Sequence, residues 1–338
     1  MTNIRLGIVG CGLTGVITAM LVKQRLPQIS VMILEKSRAT GGRMCTSKSS
    51  KEIPVDLGAQ FITKTKNLTP VQENLYTELL SNGILEPLQK VVEGLRMTPS
   101  TVGNFVAPNG TGSIVKYFLQ KSGCEALFKH RVIKVNSSNK KWILEYDNGS
   151  SHEFDAVVLT IPIPQILQLN GLSNLLQDYY PKLEAVEYCS RFALGLFYDT
   201  ECDFSVKFPD SAKFFPNDPV IAYYSINHQN QTAKTTIVVH STKEFGKSNI
   251  EQESEIVQNL IMDRLTELMP GLPNPSEIKF HKWRYSQVEK NLKEKGHLEI
   301  SKCPQMILGG DGFTRSTFEG CILSAESIVS EIENNVTL

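Results

Sequence analysis

The chain has 338 residues, 41% of them hydrophobic, and its 35 lysines and arginines are balanced by 35 aspartates and glutamates. Such neutrality leaves no long-range field to gather nucleic acid or an anionic membrane surface, so the expected partner is a small molecule. Seven cysteines without a Cys-x-x-Cys pair or a histidine at zinc spacing argue against a disulfide scaffold and a zinc module, and favour a cytoplasmic protein with reduced thiols, read here as a monomer.

The first residues, LGIVGCGLTGVITAMLV from 6 to 22, have the length of a signal peptide core. Their glycines at 10, 12 and 15, and the lack of a cleavage pattern before Lys23 and Arg25, point instead to a segment that stays in the protein, even in an exported form. No other run reaches bilayer length. Residues 4–9 predict a strand buried on both faces, 14–24 a helix and 31–34 a second strand, which together make a βαβ unit.

Leu75, Leu79 and Leu80 share a helical face that Gly83 ends, and 113–121 predict another helix. A meander of 130–135, 142–146 and 156–161 follows, stopped by Pro162 and Pro164. Alternation predicts strands at 191–198, 221–226 and 235–240, and Ile256, Leu260, Ile261, Leu265 and Leu268 mark an amphipathic helix closed by PGLPNP. A strand at 306–309 and a helix at 321–333 complete the chain. The expected fold is α/β plus α+β: a Rossmann-like nucleotide domain of 1–75, 103–165 and 278–338, and a mixed, largely antiparallel substrate domain of 76–102 and 166–277.

Gly10-x-Gly12-x-x-Gly15 lies between the first strand and helix, where the pattern has a mechanism. The first glycine turns the chain, the second admits a pyrophosphate, and the third lets helix and strand close together. The amino end of the helix offers unpaired N–H groups and about half a positive charge. Glu35, ending the second strand, suits ribose hydroxyls. Gly41-Gly42-Arg43 then fits a loop around a flavin's phosphates, with the guanidinium forked onto oxygen.

Asp56-x-Gly58-Ala59-Gln60-Phe61 places small residues where a bulky ring passes, and Val132 opens a strand that lines an adenine pocket. Gly309-Gly310-Asp311-Gly312 follows a late strand, with Asp311 suited to a ribityl or phosphate-linked hydroxyl. Gly320-Cys321-Ile322 opens the final helix, whose amino end favours a reduced, anionic ring. Together these fragments indicate a flavin adenine dinucleotide (FAD) site.

The stretches GIVGCGLTG, EKSRATGGRM, VDLGAQFIT, NFVAPNG, HRVIKVN, VVLTIPIPQILQL, LEAVEYCSRFALGLFY, MPGLPNP, KWRYSQV and GGDGFTRSTFEGCILSA resemble the renalase family of amine-oxidase-like flavoproteins along essentially the whole chain. The resemblance implies a para-hydroxybenzoate-hydroxylase-like fold and non-covalent FAD held by Thr14 beside Gly15, Arg43, Gln60 with Phe61, the 310–312 turn and Cys321. It also implies oxidation of 2- and 6-dihydro isomers of NAD(P) to the normal coenzyme, with oxygen reduced to hydrogen peroxide. Oxidation of monoamines is the alternative, and a secreted signalling protein with a vestigial flavin is a non-enzymatic one.

Glu319 stands where amine oxidases of this type carry an aromatic wall, with Phe318 one residue back, which disfavours the amine reading. On the substrate side Trp283 could stack on a nicotinamide, His240 could bond a carboxamide or phosphate, and Tyr223, on the same side as Ser225, could touch substrate.

Overall fold

The computed structural model describes residues 4–198, 208, 211–229, 234–292 and 295–336. Strand β1 (Arg5–Val9), helix α1 (Leu13–Arg25) and strand β2 (Ser30–Glu35) form the expected βαβ unit. They belong to a six-stranded sheet in the order His297–Lys302, Gln305–Gly309, Ala156–Leu159, β1, β2, Glu125–Phe128. All pairs are parallel except the edge pair of 297–302 with 305–309. Chain order reverses between β1 and 156–159, and at such a switch point the carboxyl ends of the strands part to leave a crevice for a ligand.

Both faces of this sheet are covered, which is why its strands read as unbroken apolar runs rather than as alternations. Leu6, Ile8 and Ile33 pack on one side against α1, the helix Gly112–Ser122 and the final helix Phe318–Val336. On the other side Val157, Leu159 and Leu308 meet a small antiparallel sheet through Trp142, Leu144, Tyr146 and Phe154. Each large apolar side chain so buried contributes about 1.5–3 kcal/mol.

The third strand expected of the meander belongs elsewhere. The small sheet comprises Val132–Ser138, Lys141–Tyr146 and Ser151–Phe154, while Ala156–Leu159 joins the parallel sheet beside β1. The chain turns over at Asp155, whose amide bonds to the Arg5 carbonyl and whose carboxylate accepts the Arg5 amide at 2.8 Å.

A second six-stranded sheet roofs the crevice, in the order Glu277–Lys290, Glu187–Tyr198, Lys234–Ser241, Ile221–Gln229, Ala212–Phe214, Val92–Glu93. One face, with Phe192, Leu194, Leu196, Ile237 and Val239, packs on the amphipathic helix Ser254–Leu268. The opposite face presents Ala193, Phe197 and Val238 to Ile53, Val55 and Leu57 of the hairpin that follows the Arg43 loop. The 277–290 strand, which the sequence reading placed from residue 278 with the nucleotide part, pairs with 187–198 and so lies in the roof. Among the described residues no helix is long and apolar enough to cross a membrane, and the six described cysteines are free; Cys202 lies outside the described residues.

Candidate functional site

The crevice is built around three glycines that do three different things. Gly10 turns with φ +110°, a region a side chain disfavours, and its amide bonds to the Leu34 carbonyl at 2.8 Å. At Gly15 a Cβ would stand 2.0 Å from the Gly10 carbonyl oxygen, so only glycine lets α1 close onto β1. At Gly12 a Cβ would meet nothing within 4 Å. That open space borders Gly42, whose own Cβ position is 3.5 Å from the Gly12 Cα. A pyrophosphate fits such a cradle of bare backbone.

Glu35 is buried, and its two carboxylate oxygens accept the Cys11 amide (2.9 Å) and the Ser37 amide (2.8 Å). A carboxylate has about four lone-pair positions, so it keeps capacity for hydroxyls. The neighbouring Cys11 thiol is pushed up to about 11, first by burial and then by Glu35, against its bond to Thr40. The His130 amide bonds to the Glu35 carbonyl at 2.9 Å, which brings buried Val132 to the end of β2 beside Leu34.

The two ends of the chain meet over this cradle. Arg43 reaches Asp311, 268 residues away, with a two-pronged ion pair at 2.5 and 2.7 Å. This differs from the fork onto phosphate read from the sequence. Asp311 is 4% exposed and needs a counter-charge, which Arg43 supplies, and it also accepts Ser316 Oγ. Burial alone would lower the Arg43 pKa, but Asp311 more than offsets it and raises it. Gly310 takes φ +114° and bonds through its amide to Ser324 Oγ at 2.8 Å.

Thr14 from α1 bonds to the Cys321 thiol, which burial and then Asp311 push up to about 11 against the pull of Thr14 and Arg43. The thiol is therefore neutral at physiological pH. The final helix begins at Phe318, three residues before the expected 321, and Thr317 takes up the Gly320 amide on its hydroxyl (3.0 Å) and the Cys321 amide on its carbonyl (3.0 Å). Those donors thus face their own cap. Ile322 is fully buried in the core, because about 100° of helical rotation separates it from Cys321. Gln60 folds back on its own loop, its amide donating to the carbonyls of Asp56 (2.5 Å) and Gly58 (3.1 Å), and half-buried Phe61 follows it.

Above lies the roof. His240 is the cross-strand neighbour of Tyr223 and of Ala193, and Trp283 that of Arg191, so the three sequence candidates share the face toward the nucleotide sheet. Trp283 Nε1 donates to the Leu57 carbonyl at 2.8 Å. His240 bonds to the same carbonyl, while its Nε2 is buried without a partner among the described residues. Burial first, and Arg191 second, push the imidazole down to about 4 against the pull of that carbonyl, so it is neutral near pH 7. The Tyr223 ring centroid is 4.7 Å from that of Phe214 and 5.9 Å from that of His240.

Tyr188 was not singled out by the sequence. Its hydroxyl lies 3.4 Å from the Ile163 amide and its ring 5.7 Å from Tyr285, and burial and then Asp311 raise its pKa. Irregular pairing between Cys189 and Arg191 breaks the alternation that would have flagged it.

Glu319 does not face the crevice. Its carboxylate accepts the amide and hydroxyl of Thr65, both at 2.7 Å, while Phe318 packs on Tyr76 with ring centroids 5.1 Å apart. Neither supplies an aromatic wall.

Residues 71–332 match the family model described as flavin containing amine oxidoreductase, and residues 8–79 match an NAD(P)-binding Rossmann-like domain. The sequence is 37% identical to mouse renalase, over 98% of this chain and 99% of that protein. It is 26% identical to a probable polyamine oxidase 4 of Arabidopsis thaliana, over 46% of this chain and 31% of that one. Among solved structures, a putative protoporphyrinogen oxidase from Exiguobacterium sp. 255-15 superposes with a TM-score of 0.73 at 14% identity, over 99% of both chains. Putrescine oxidase bound to putrescine superposes with a TM-score of 0.72 at 12% identity, over 98% of this chain and 99% of that one; at such identities the likeness is one of fold.

Proposed function

The chain belongs to the renalase family of flavin-containing amine oxidoreductases and is an FAD-dependent oxidoreductase, and from that premise we propose that it oxidises 2- and 6-dihydro isomers of NAD(P) to the normal coenzyme, with oxygen reduced to hydrogen peroxide. The reading takes the cofactor to be non-covalent and the protein to act as a cytoplasmic monomer on a small molecule.

The observation that carries it is the state of the roof. Among the described residues this face carries two imidazoles, His240 and His281, the latter beside Trp283; burial lowers the pKa of both, that of His240 to about 4, and Glu319 is tied to Thr65. A dihydropyridine gains aromaticity when it gives up a hydride, so such a site has no need of a strong base. Bound FAD supplies the acceptor for that hydride. The protein's part is to hold and to dry: Gly12 and Gly42 leave room for the pyrophosphate, Glu35 accepts ribose hydroxyls, and Trp283 with Tyr285 offers flat surfaces to a ring.

The test is oxygen-free mixing of holoenzyme with 6-dihydro-NAD and, separately, with catecholamines. Bleaching of the flavin within seconds by the dihydronicotinamide alone is expected. Bleaching by catecholamines alone would replace this reading with amine oxidation, which the family model's description and the putrescine oxidase fold would then support.

A further inference from the structure

Arg191 stands on the site-facing side of the roof, directly across from Trp283 and two residues along its strand from Ala193, the partner of His240. Its NH1 donates to the Ser241 carbonyl at 2.9 Å, which fixes the guanidinium along the strand end. Among the described residues no carboxylate lies within ion-pair distance of it. The contrast with the other arginines near the crevice and roof is sharp. Arg43 is spent on Asp311, Arg264 on Asp218 and Arg284 on Glu251. Arg191 is half-buried beside a partnerless neutral imidazole, and a guanidinium has five donors, of which one carbonyl uses one.

We propose that Arg191 is a specificity-determining residue that binds the phosphate of an anionic substrate at the roof, so that the site takes phosphate-bearing dihydronicotinamides and disfavours free amines. Guanidinium and phosphate match in geometry as well as charge. A cation so placed also repels the ammonium form in which amines exist near neutral pH. His240, kept neutral by burial and by this same arginine, adds no charge of its own, so the cation on this side of His240 is the Arg191 guanidinium. The inference rests on the dihydronicotinamide reading and narrows it to the charged tail of the substrate.

The experiment follows anaerobic flavin reduction in holoenzyme with two donors: 6-dihydro-NAD, which carries a pyrophosphate, and an N-alkyl dihydronicotinamide, which carries none. In the unmodified protein the phosphate-bearing donor should half-saturate at the lower concentration, and added sodium chloride should raise that concentration without changing the limiting rate. Arg191→Ala should raise half-saturation for 6-dihydro-NAD about tenfold or more, leave the phosphate-free donor within about twofold, and abolish the salt effect. Arg191→Lys should recover part of the loss.

Equal loss with both donors, or no change with either, would overturn the role of Arg191. The salt dependence in unmodified protein decides the matter even if the variants fold poorly, because its absence alone overturns the proposal. Failure of both donors to bleach the unmodified flavin would instead overturn the dihydronicotinamide reading itself.

Discussion

The cradle and the roof face each other across one crevice, yet they are built on different terms. The cradle is made of backbone: Gly10 turns the chain, Gly15 lets α1 close onto β1, and Gly12 and Gly42 leave bare backbone open beside them. The roof is made of side chains held in place by register, with Trp283 and His240 meeting at the single carbonyl of Leu57. Backbone geometry tolerates no substitution where it is tight and any small one where it is open. Side-chain geometry yields in graded steps. The two regions should therefore respond to mutation on different scales.

The largest effect is expected where the cradle is tightest. Gly15→Ala puts a methyl 2.0 Å from the Gly10 carbonyl, and neither backbone can move without parting α1 from β1, so apoprotein stability should fall by about 3 kcal/mol or more in urea unfolding. Three residues earlier the outcome reverses. Gly12→Leu projects into open space, so the apoprotein should keep its stability within about 0.5 kcal/mol while FAD affinity falls at least about a hundredfold by fluorescence titration. Apoprotein must be used for both, since bound cofactor stabilises by mass action. Loss of folding at Gly12, or retention of it at Gly15, would show that the cradle is not divided in this way.

Between cradle and roof lies the Arg43–Asp311 pair. Asp311→Asn leaves a guanidinium without its counter-charge; because the Arg43 side chain is 30% exposed, water recovers part of the loss, and about 2 kcal/mol is expected rather than the full cost of breaking a buried pair. The same variant should weaken FAD retention, since Asp311, Arg43 and Cys321 share one cluster.

The roof should announce itself through pH. His240 is depressed from the ordinary histidine value to about 4, so in acid the unfolded chain takes up a proton that the folded one refuses. Stability is then level above about pH 6.5, falls as the pH drops from there toward 4, and loses nothing more from this group below that. At about 1.4 kcal/mol for each pH unit between 6.5 and 4, full expression is about 3 kcal/mol. Thermal unfolding of His240→Phe across pH 4–7 should show a shallower acid slope than unmodified protein. Parallel slopes would mean that His240 is not the group refusing the proton.

How legible each region was follows from the same division. The glycine spacing, Glu35 and the 309–312 turn announce a cradle because their roles are set within about 30 residues by steric rules that sequence shows directly. The pairing of Arg43 with Asp311 spans 268 residues, and nothing local tells a fork for phosphate from a fork for carboxylate. Strand 156–159 was read into the meander because short apolar runs do not say which sheet they join; four consecutive buried residues, against the alternation of 151–154, were the available sign of a parallel strand. Tyr188 and Arg191 escaped notice because irregular pairing resets the face on which each lies. Ile322, expected at the start of the final helix, lies in the core because a helix turns its side chain well away from that of Cys321.

The smallest effect is the one that best separates the architecture of the roof from its chemistry. Trp283→Phe keeps a flat ring against Ile53, Val55 and Leu57 but removes the indole N–H that bonds to the Leu57 carbonyl. That carbonyl retains His240 as a partner, so it is not left bare, and the cost should be about 1 kcal/mol by urea unfolding. If Trp283 serves mainly to tie the roof to the 57–61 loop, flavin reduction by a dihydronicotinamide should slow in proportion to any loss of FAD and no further. If it stacks on the substrate ring, Phe preserves most of that surface and Trp283→Ala should raise half-saturation at least about fivefold beyond the Phe variant, with FAD content unchanged. A roof that is only a tie predicts equal kinetics for the two variants once both are loaded, and comparing them distinguishes a residue that holds the chamber shut from one that reads what enters it.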